Sequence, residues 1–296
     1  MNKKFKLAVL LAALTLFVII QACQTGQNPK EQPKQLNVSI LLDLSDRISP
    51  VKNPDNPEHK EKDLLIVKKI VEVFKQDMDR LNAIGAKGKI KVFMQPAPQI
   101  PNINALQKKL QVDLSKMTPQ QKKDVYDNLE NDFEDALNQI YEATIHNSAW
   151  MGSDIWRFFK NDAKSFCISK DTNYRNILVI ITDGYIYDAT TLEHNGNRVQ
   201  NLTVSTIGKY RKFDNPTQEI EKDDFGLIVP CDDLQNLEVL VLEITPENNS
   251  QKDEIILTYC IDKWLREMGV KKSAVYKTDL PANTESRIED FFDWEE

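Results

Sequence analysis

The chain has 296 residues, 41% hydrophobic, 28% charged and 8% aromatic, with a formal net charge of −7. That is enough apolar material for a sizeable core, while an acidic body is a poor partner for nucleic acid and suits a divalent cation or a basic partner better. Spacing excludes more: the nine glycines form no G-x-G-x-x-G, P-loop or G-x-S-x-G, His59, His146 and His194 form no H-E-x-x-H, and the four cysteines contain no C-x-x-C, so dinucleotide loops, nucleophile elbows, zincin helices and zinc ribbons are out.

Lys3, Lys4 and Lys6 precede an uncharged apolar run over residues 7–20. A spanning helix needs about 20 residues, so this shorter run reads as the h-region of a signal peptide, residues 1–22. Ile20-Gln21-Ala22-Cys23 follows and resembles a bacterial lipobox. The resemblance implies that Cys23 carries a diacylglyceryl group and an N-acyl chain such as palmitate, and several chains anchor stably where one does not. The bland alternative is a plain secretory signal with an incidental cysteine. Residues 23–35 are polar, with Pro29 and Pro33, and read as a flexible tether. The tether lacks the acidic cluster of surface-exported lipoproteins, and Gln24 is not a retention aspartate. By that resemblance the protein faces the periplasm from an outer membrane rather than the cell surface.

The remaining chain, residues 36–296, reads as one domain of strands alternating with helices. Residues 36–43 form a short, apolar, β-branched strand. Leu64, Val67, Val71, Phe74, Met78 and Leu81 mark an amphipathic helix over residues 61–84, with Gly85 as its stop. Residues 89–94 are a second strand. Pro96, Pro98 and Pro101 break the chain, and residues 109–114 suit an edge strand. Thr118-Pro119 opens a long helix to about residue 147, whose stripe Val125, Leu129, Phe133, Leu137, Ile140 and Thr144 reads as core. A shorter helix spans residues 154–163. Residues 176–182 are apolar on both faces, as a central parallel strand must be, and residues 236–244 are similar. Helices over residues 252–268 and 285–294 flank a last strand at 273–276. The alternation predicts an α/β fold, an open and mostly parallel sheet with helices on both faces. Cys260 falls in an apolar helical pattern and reads as core, whereas a Cys167–Cys231 disulfide is left open.

Two strands end in an aspartate followed by polar residues: Asp43-Leu44-Ser45-Asp46-Arg47 and Thr182-Asp183-Gly184. Between them Gly152-Ser153-Asp154 is a polar turn entering a helix. Ligands of open α/β sheets bind beyond the carboxyl ends of the strands, so these loops can converge on one face. Carboxylate and hydroxyl oxygens completed by water are what Mg²⁺ or Mn²⁺ prefers. At these residues the chain resembles a von Willebrand factor type A domain. That family's metal-ion-dependent adhesion site combines D-x-S-x-S, a threonine in a glycine-rich turn, and a later strand-end aspartate. The resemblance implies a three-layer fold and a protein-binding function. It implies a divalent ion held by Asp43, Ser45, Ser153 and Asp183, with a partner carboxylate completing the shell. The chain departs from the pattern at Arg47, where a second hydroxyl is expected; a guanidinium cannot ligate a cation and can instead pair with Asp43 or Asp183. The bland reading of these carboxylates is capping and ion pairing at the turns.

About 50 residues separate the Asp183 strand from the next, far more than an ordinary connection. Tyr185 and Tyr187 leave from the strand end and, with Arg47 and Asp154, are candidates for a site rim. One alternative is therefore a metal-free scaffold that binds through residues 185–234; another is a crossover helix with plain surface loops. A third is a phosphatase-like hydrolase with Asp43 as nucleophile, but the required general acid two residues on is Ser45.

Overall fold

In the computed structural model residues 33–148, 150–188, 193–247 and 250–294 are described. The signal segment, Cys23 and most of the tether lie outside them. From Lys34 the chain forms one compact unit. Its centre is a six-stranded sheet of β1 (Gln35–Leu42), β2 (Lys89–Met94), β3 (Gln111–Asp113), β4 (Tyr174–Ile181), β8 (Glu238–Ile244) and β9 (Lys272–Lys277). The spatial order is β3-β2-β1-β4-β8-β9. Every neighbouring pair is parallel except β2 with β3.

The central strands are buried on both faces because each lies between two cores. Val38, Ile40 and Leu42 of β1 and Ile177, Val179 and Ile181 of β4 enter one core; Leu41, Leu178 and Ile180 enter the other. The first core is covered by α1 (His59–Arg80), α3 (Pro119–Asn147) and α9 (Pro281–Phe292). The second is covered by α4 (Ile155–Asn161), α5 (Ala163–Cys167) and α8 (Gln251–Glu267). The predicted α/β class and its two helical layers are thus those of the molecule. Among the described residues no helix is long and apolar enough to cross a membrane.

Local chemistry explains the element ends. Thr118 accepts from the amide of Gln121, whose side chain returns to the Thr118 amide, a capping box opening α3 with Pro119 in its first turn. Gly269, at φ +74°, stops α8 in the left-handed conformation that glycine adopts freely. Gly85 does not play that part for α1: the helix ends at Arg80, and the left-handed residues are Asn82 and Ala83. A helix the sequence reading missed, α2 (Ile103–Lys109), follows the proline cluster, and the edge strand is shortened to β3.

The long segment after β4 is the crossover to β8, and it is neither one helix nor plain loop. It holds a small sheet of β5 (His194–Asn195), β6 (Arg198–Val199) and β7 (Gly226–Leu227), plus α6 (Val204–Ile207) and α7 (Pro216–Lys222). Leu202, Ile207, Tyr210, Ile220 and Leu227 from this segment are fully buried in the second core. Most of the segment is therefore structural. Cys167, Cys231 and Cys260 are all free thiols, so the Cys167–Cys231 bridge left open by the sequence is not formed. Cys260 is core as expected.

A cleft at the carboxyl edge is the candidate functional site

From β1 the chain crosses to β2 on one side, and from β4 to β8 and β9 on the other, so the winding reverses between β1 and β4. Strand ends diverge at such a switch point and leave a crevice for ligands. A cleft of about 960 Å³ opens there, lined by Ser45, Arg47, Ser153, Asp183, Tyr185 and Tyr187, with further residues of the loops after β1, β8 and β9. Three segments distant in sequence are thus brought together. Asp43 lies beneath the cleft, 2% exposed. Asp154 is turned away from it: its side chain caps α4 by accepting from the Arg157 amide and pairs with the Arg157 guanidinium at 2.9 Å.

Backbone geometry builds the turn. The Ser153 amide donates to the Tyr187 carbonyl and the Tyr187 amide donates back to Ser153, both at 3.0 Å, while the Asp154 amide reaches Gln95 at the end of β2. A Cβ on Gly152 would lie 2.6 Å from the Tyr187 carbonyl oxygen, and its φ of +82° also requires glycine. The Ser153 hydroxyl is buried without a hydrogen-bond partner.

Arg47 organises the floor. Its side chain is 2% exposed. Its Nε donates to the Asp43 carbonyl at 2.9 Å, and its Nη2 donates to Asp63 Oδ2 of α1 at 2.5 Å. The Tyr141 hydroxyl of α3 donates to the same Asp63 oxygen at 2.7 Å. Nη1 is buried and unpartnered. Burial works against the guanidinium's charge, but Asp63 and Asp43 outweigh it, so its proton is held more firmly than in water. Burial pushes the Asp63 carboxyl up to about 6, with Arg47 and Tyr141 opposing that rise. Burial and the charge of Asp43 push Asp183 up to about 8. Asp183 Oδ1 accepts from the Tyr185 amide at 2.9 Å.

A fourth acid arrives by an irregularity of backbone. Glu243, near the end of β8, has φ +72°, at a register shift of the β8–β9 pairing. A bulge there re-aims side chains: Ile244 enters the second core, and Glu243 accepts from Thr278 Oγ1 at 2.6 Å. Lys62 Nζ donates to that same hydroxyl and to Asp55. His59, also in the lining, is held neutral because burial and Arg47 depress it to about 4.

The sequence reading missed Asp63, Tyr141, His59 and Glu243, and gave Thr182 no role of its own. Asp63 had a visible signal: it sits three and four residues before Ile66 and Val67, on the buried stripe of α1. Thr182 was readable beside Asp183, and its hydroxyl donates to Asp43 Oδ2 at 2.8 Å. The partner of Arg47 and the bulge at Glu243 had no local signal.

A divalent ion would need several oxygens free to converge on one point. The buried, unpartnered Ser153 hydroxyl suits that role. The other donors suit it poorly. Both Asp43 oxygens already accept, from the Ser45 amide and from Thr182, and Arg47 Nε stands 3.9 Å from Oδ2. Among the described residues no three His, Cys, Asp or Glu side chains group to hold an ion. The residues present fit a guanidinium better than a hydrated dication. The hydrolase alternative fares no better, because Ser45 offers Asp43 a backbone amide and no proton-transfer group.

No protein-family model and no curated protein matches the chain. A loose structural similarity links it to the pilus adhesin SpaC of Lactobacillus rhamnosus GG, at 9% identity and a TM-score of 0.40, covering 89% of this chain and 31% of the adhesin. The chain thus spans about a third of that protein's length.

Proposed function

We propose that this protein is a lipid-anchored, type A-like envelope module that recognises a partner protein in the cleft between the β1 and β4 strand ends. The observation that carries the proposal is the convergence of the Asp43-x-Ser45 loop, the Gly152-Ser153 turn and Asp183-Gly184 on a switch-point cleft. In this reading Arg47 is a built-in cation that fills the place of a bound ion and neutralises Asp43 and Asp63. The unpartnered Ser153 hydroxyl and Arg47 Nη1 remain as donors for a ligand's oxygens. Tyr185 and Tyr187 form the rim, with Tyr187 48% exposed. The anchor on Cys23 and a periplasmic address on an outer membrane belong to the same proposal; the first rests on the lipobox and the second on the residues that follow it.

A photo-crosslinking residue at Tyr187 in the native envelope tests it. The expected result is one adduct of defined mass, absent when the probe replaces Ile84 at the opposite edge and lost when Ser153 is also changed to Trp. Adducts equal at both positions, or none at Tyr187, would overturn it. The second reading, an Mg²⁺ or Mn²⁺ ion held by Asp43, Ser45, Ser153 and Asp183, is favoured by the orphaned Ser153 hydroxyl. Calorimetry separates the two: no heat with either ion for the native chain but binding by Arg47→Ser supports the built-in cation, and binding by the native chain supports the ion.

A further inference from the structure

The opposite edge of the sheet carries a second and larger cleft, of about 1280 Å³. Because β1, β4, β8 and β9 are parallel, their amino ends all lie there. The loops before those strands supply its walls. Six basic side chains line it, Lys34, Lys164, Lys170, Arg175, Lys271 and Lys272, against two acidic ones, Asp171 and Glu238. In a chain of net charge −7 this is a reversal of sign. The carboxyl-edge cleft has the opposite bias, with Asp46, Asp55, Asp183, Glu247 and Asp279 against Arg47, Lys52 and Lys62.

Part of the basic set is structural. Arg175 pairs with Glu238 at 2.8 Å and donates to the carbonyls of Phe291, Phe292 and Asp293, which fastens the end of α9. Lys164 pairs with Asp233 at the rim. Lys271 pairs with Glu238 at 3.3 Å. Lys34, Lys164, Lys170 and Lys271 are exposed, and among the ion pairs of the described residues Lys34 and Lys170 have none. Charge left unpaired on one face acts on whatever surface that face is held against.

We infer that this basic edge is a docking surface for the anionic phospholipid headgroups of the membrane that carries the anchor. The inference rests on the proposed acylation of Cys23. Charge complementarity is the first argument, and the place where the chain leaves the structure is the second. Lys34 both lines the cleft and stands 11 residues after Cys23. A random-coil segment of that length has a root-mean-square reach of roughly 17–20 Å. An anionic surface acts on charges within a Debye length, about 8–10 Å at physiological salt, and the edge that holds Lys34 is the one a segment of this reach brings within that range. Each basic group drawn to such a surface strengthens association by roughly fivefold. The consequence is an orientation: the basic edge rests on the bilayer and the carboxyl-edge cleft faces away from it, open to a partner.

The acylated full chain, reconstituted on vesicles of phosphatidylcholine alone or mixed with phosphatidylglycerol, provides the test. Flotation on phosphatidylcholine reads the anchor by itself. Amine-reactive labelling, resolved by mass spectrometry, reads the orientation at Lys164, Lys170 and Lys271, with Lys52 and Lys209 as internal references. The expected result is flotation on both vesicles and a several-fold slower labelling of the three basic-edge lysines on the phosphatidylglycerol vesicles alone. High salt should reverse it, and Lys34→Glu with Lys170→Glu should abolish the difference at Lys164. Equal labelling on both compositions for a chain that floats would overturn the inference and leave the anchor standing. A chain that does not float on phosphatidylcholine overturns the anchor and the inference with it. Protection by a soluble polyanion equal to that by the vesicles would also overturn it, in favour of an acidic macromolecule.

Discussion

Replacing Arg47 by methionine keeps an unbranched apolar stem and removes the one positive charge that, among the described residues, pairs with Asp63 and Asp43. Arg47 and Asp63 are 2% and 0% exposed, so solvent cannot replace the lost partner. Breaking a buried pair by deleting one member costs about 3–5 kcal/mol, because the other charge is left uncompensated. The cost must depend on pH, since Asp63 can escape it by taking up a proton. Its folded pKa, about 6 with Arg47 present, lies above the value of about 4 in an unfolded chain. A group raised in this way contributes stability that is present below pH 4 and lost as pH rises through the folded value. In the native chain that loss is complete soon above pH 6. Without Arg47 it continues upward, at about 1.4 kcal/mol per pH unit, until Asp63 finally ionises. Urea denaturation of Arg47→Met and of the native chain should therefore give similar stabilities near pH 5 and a gap approaching about 3 kcal/mol near pH 8. Adding Asp63→Asn should close most of that gap. A gap that is the same at both pH values, or that Asp63→Asn does not reduce, would refute the assignment of Arg47 as the internal counter-ion.

Asp183, pushed up to about 8 by burial and by Asp43, follows the same sign: native stability should decline as pH rises from about 4 to about 8. Asp183→Asn should flatten that decline in urea midpoints at pH 5, 7 and 9; an unchanged slope would mean that Asp183 is ionised in the folded chain. Gly184→Ala should destabilise the protein by about 1–2 kcal/mol, because its φ is +94° and the new Cβ would lie 2.9 Å from Ile244 Cδ1; thermal melts showing less than about 0.5 kcal/mol would contradict the strained turn. Of the three thiols past Cys23, half-buried Cys231 should react with a disulfide reagent in the folded chain. Cys167 and Cys260, pushed up to about 12 by burial, should react only after unfolding. Two missing thiols in the unfolded, unreduced protein would indicate a bridge instead.

Several features of this protein follow from local sequence because their physics is local. The run at residues 176–182 is apolar in both phases of the strand period, and a strand of that kind must be covered on both faces. The Thr118 cap, the Gly269 stop and the stripe of α3 are decided within one or two helical turns. The paired signals Asp43-x-Ser45 and Asp183-Gly184 were legible as strand ends bearing polar chemistry, and parallel strands place such ends on one edge. Tertiary structure decided what no window of sequence contains. The strand order β3-β2-β1-β4-β8-β9 put the reversal of winding between β1 and β4, which is why the cleft opens over Asp43 and Asp183 and not elsewhere. Asp63 and Tyr141, 16 and 94 residues beyond Arg47 in sequence, become its partner and that partner's donor only through the packing of α1 against α3. The bulge at Glu243 arises from the pairing of β8 with β9 and turns an acid inward that simple alternation would place on the other face. Composition announced an acidic chain; the fold alone separated its charges, acids toward the carboxyl edge and lysines around the point where the tether leaves, because parallel strands gather all their beginnings on one side and all their ends on the other.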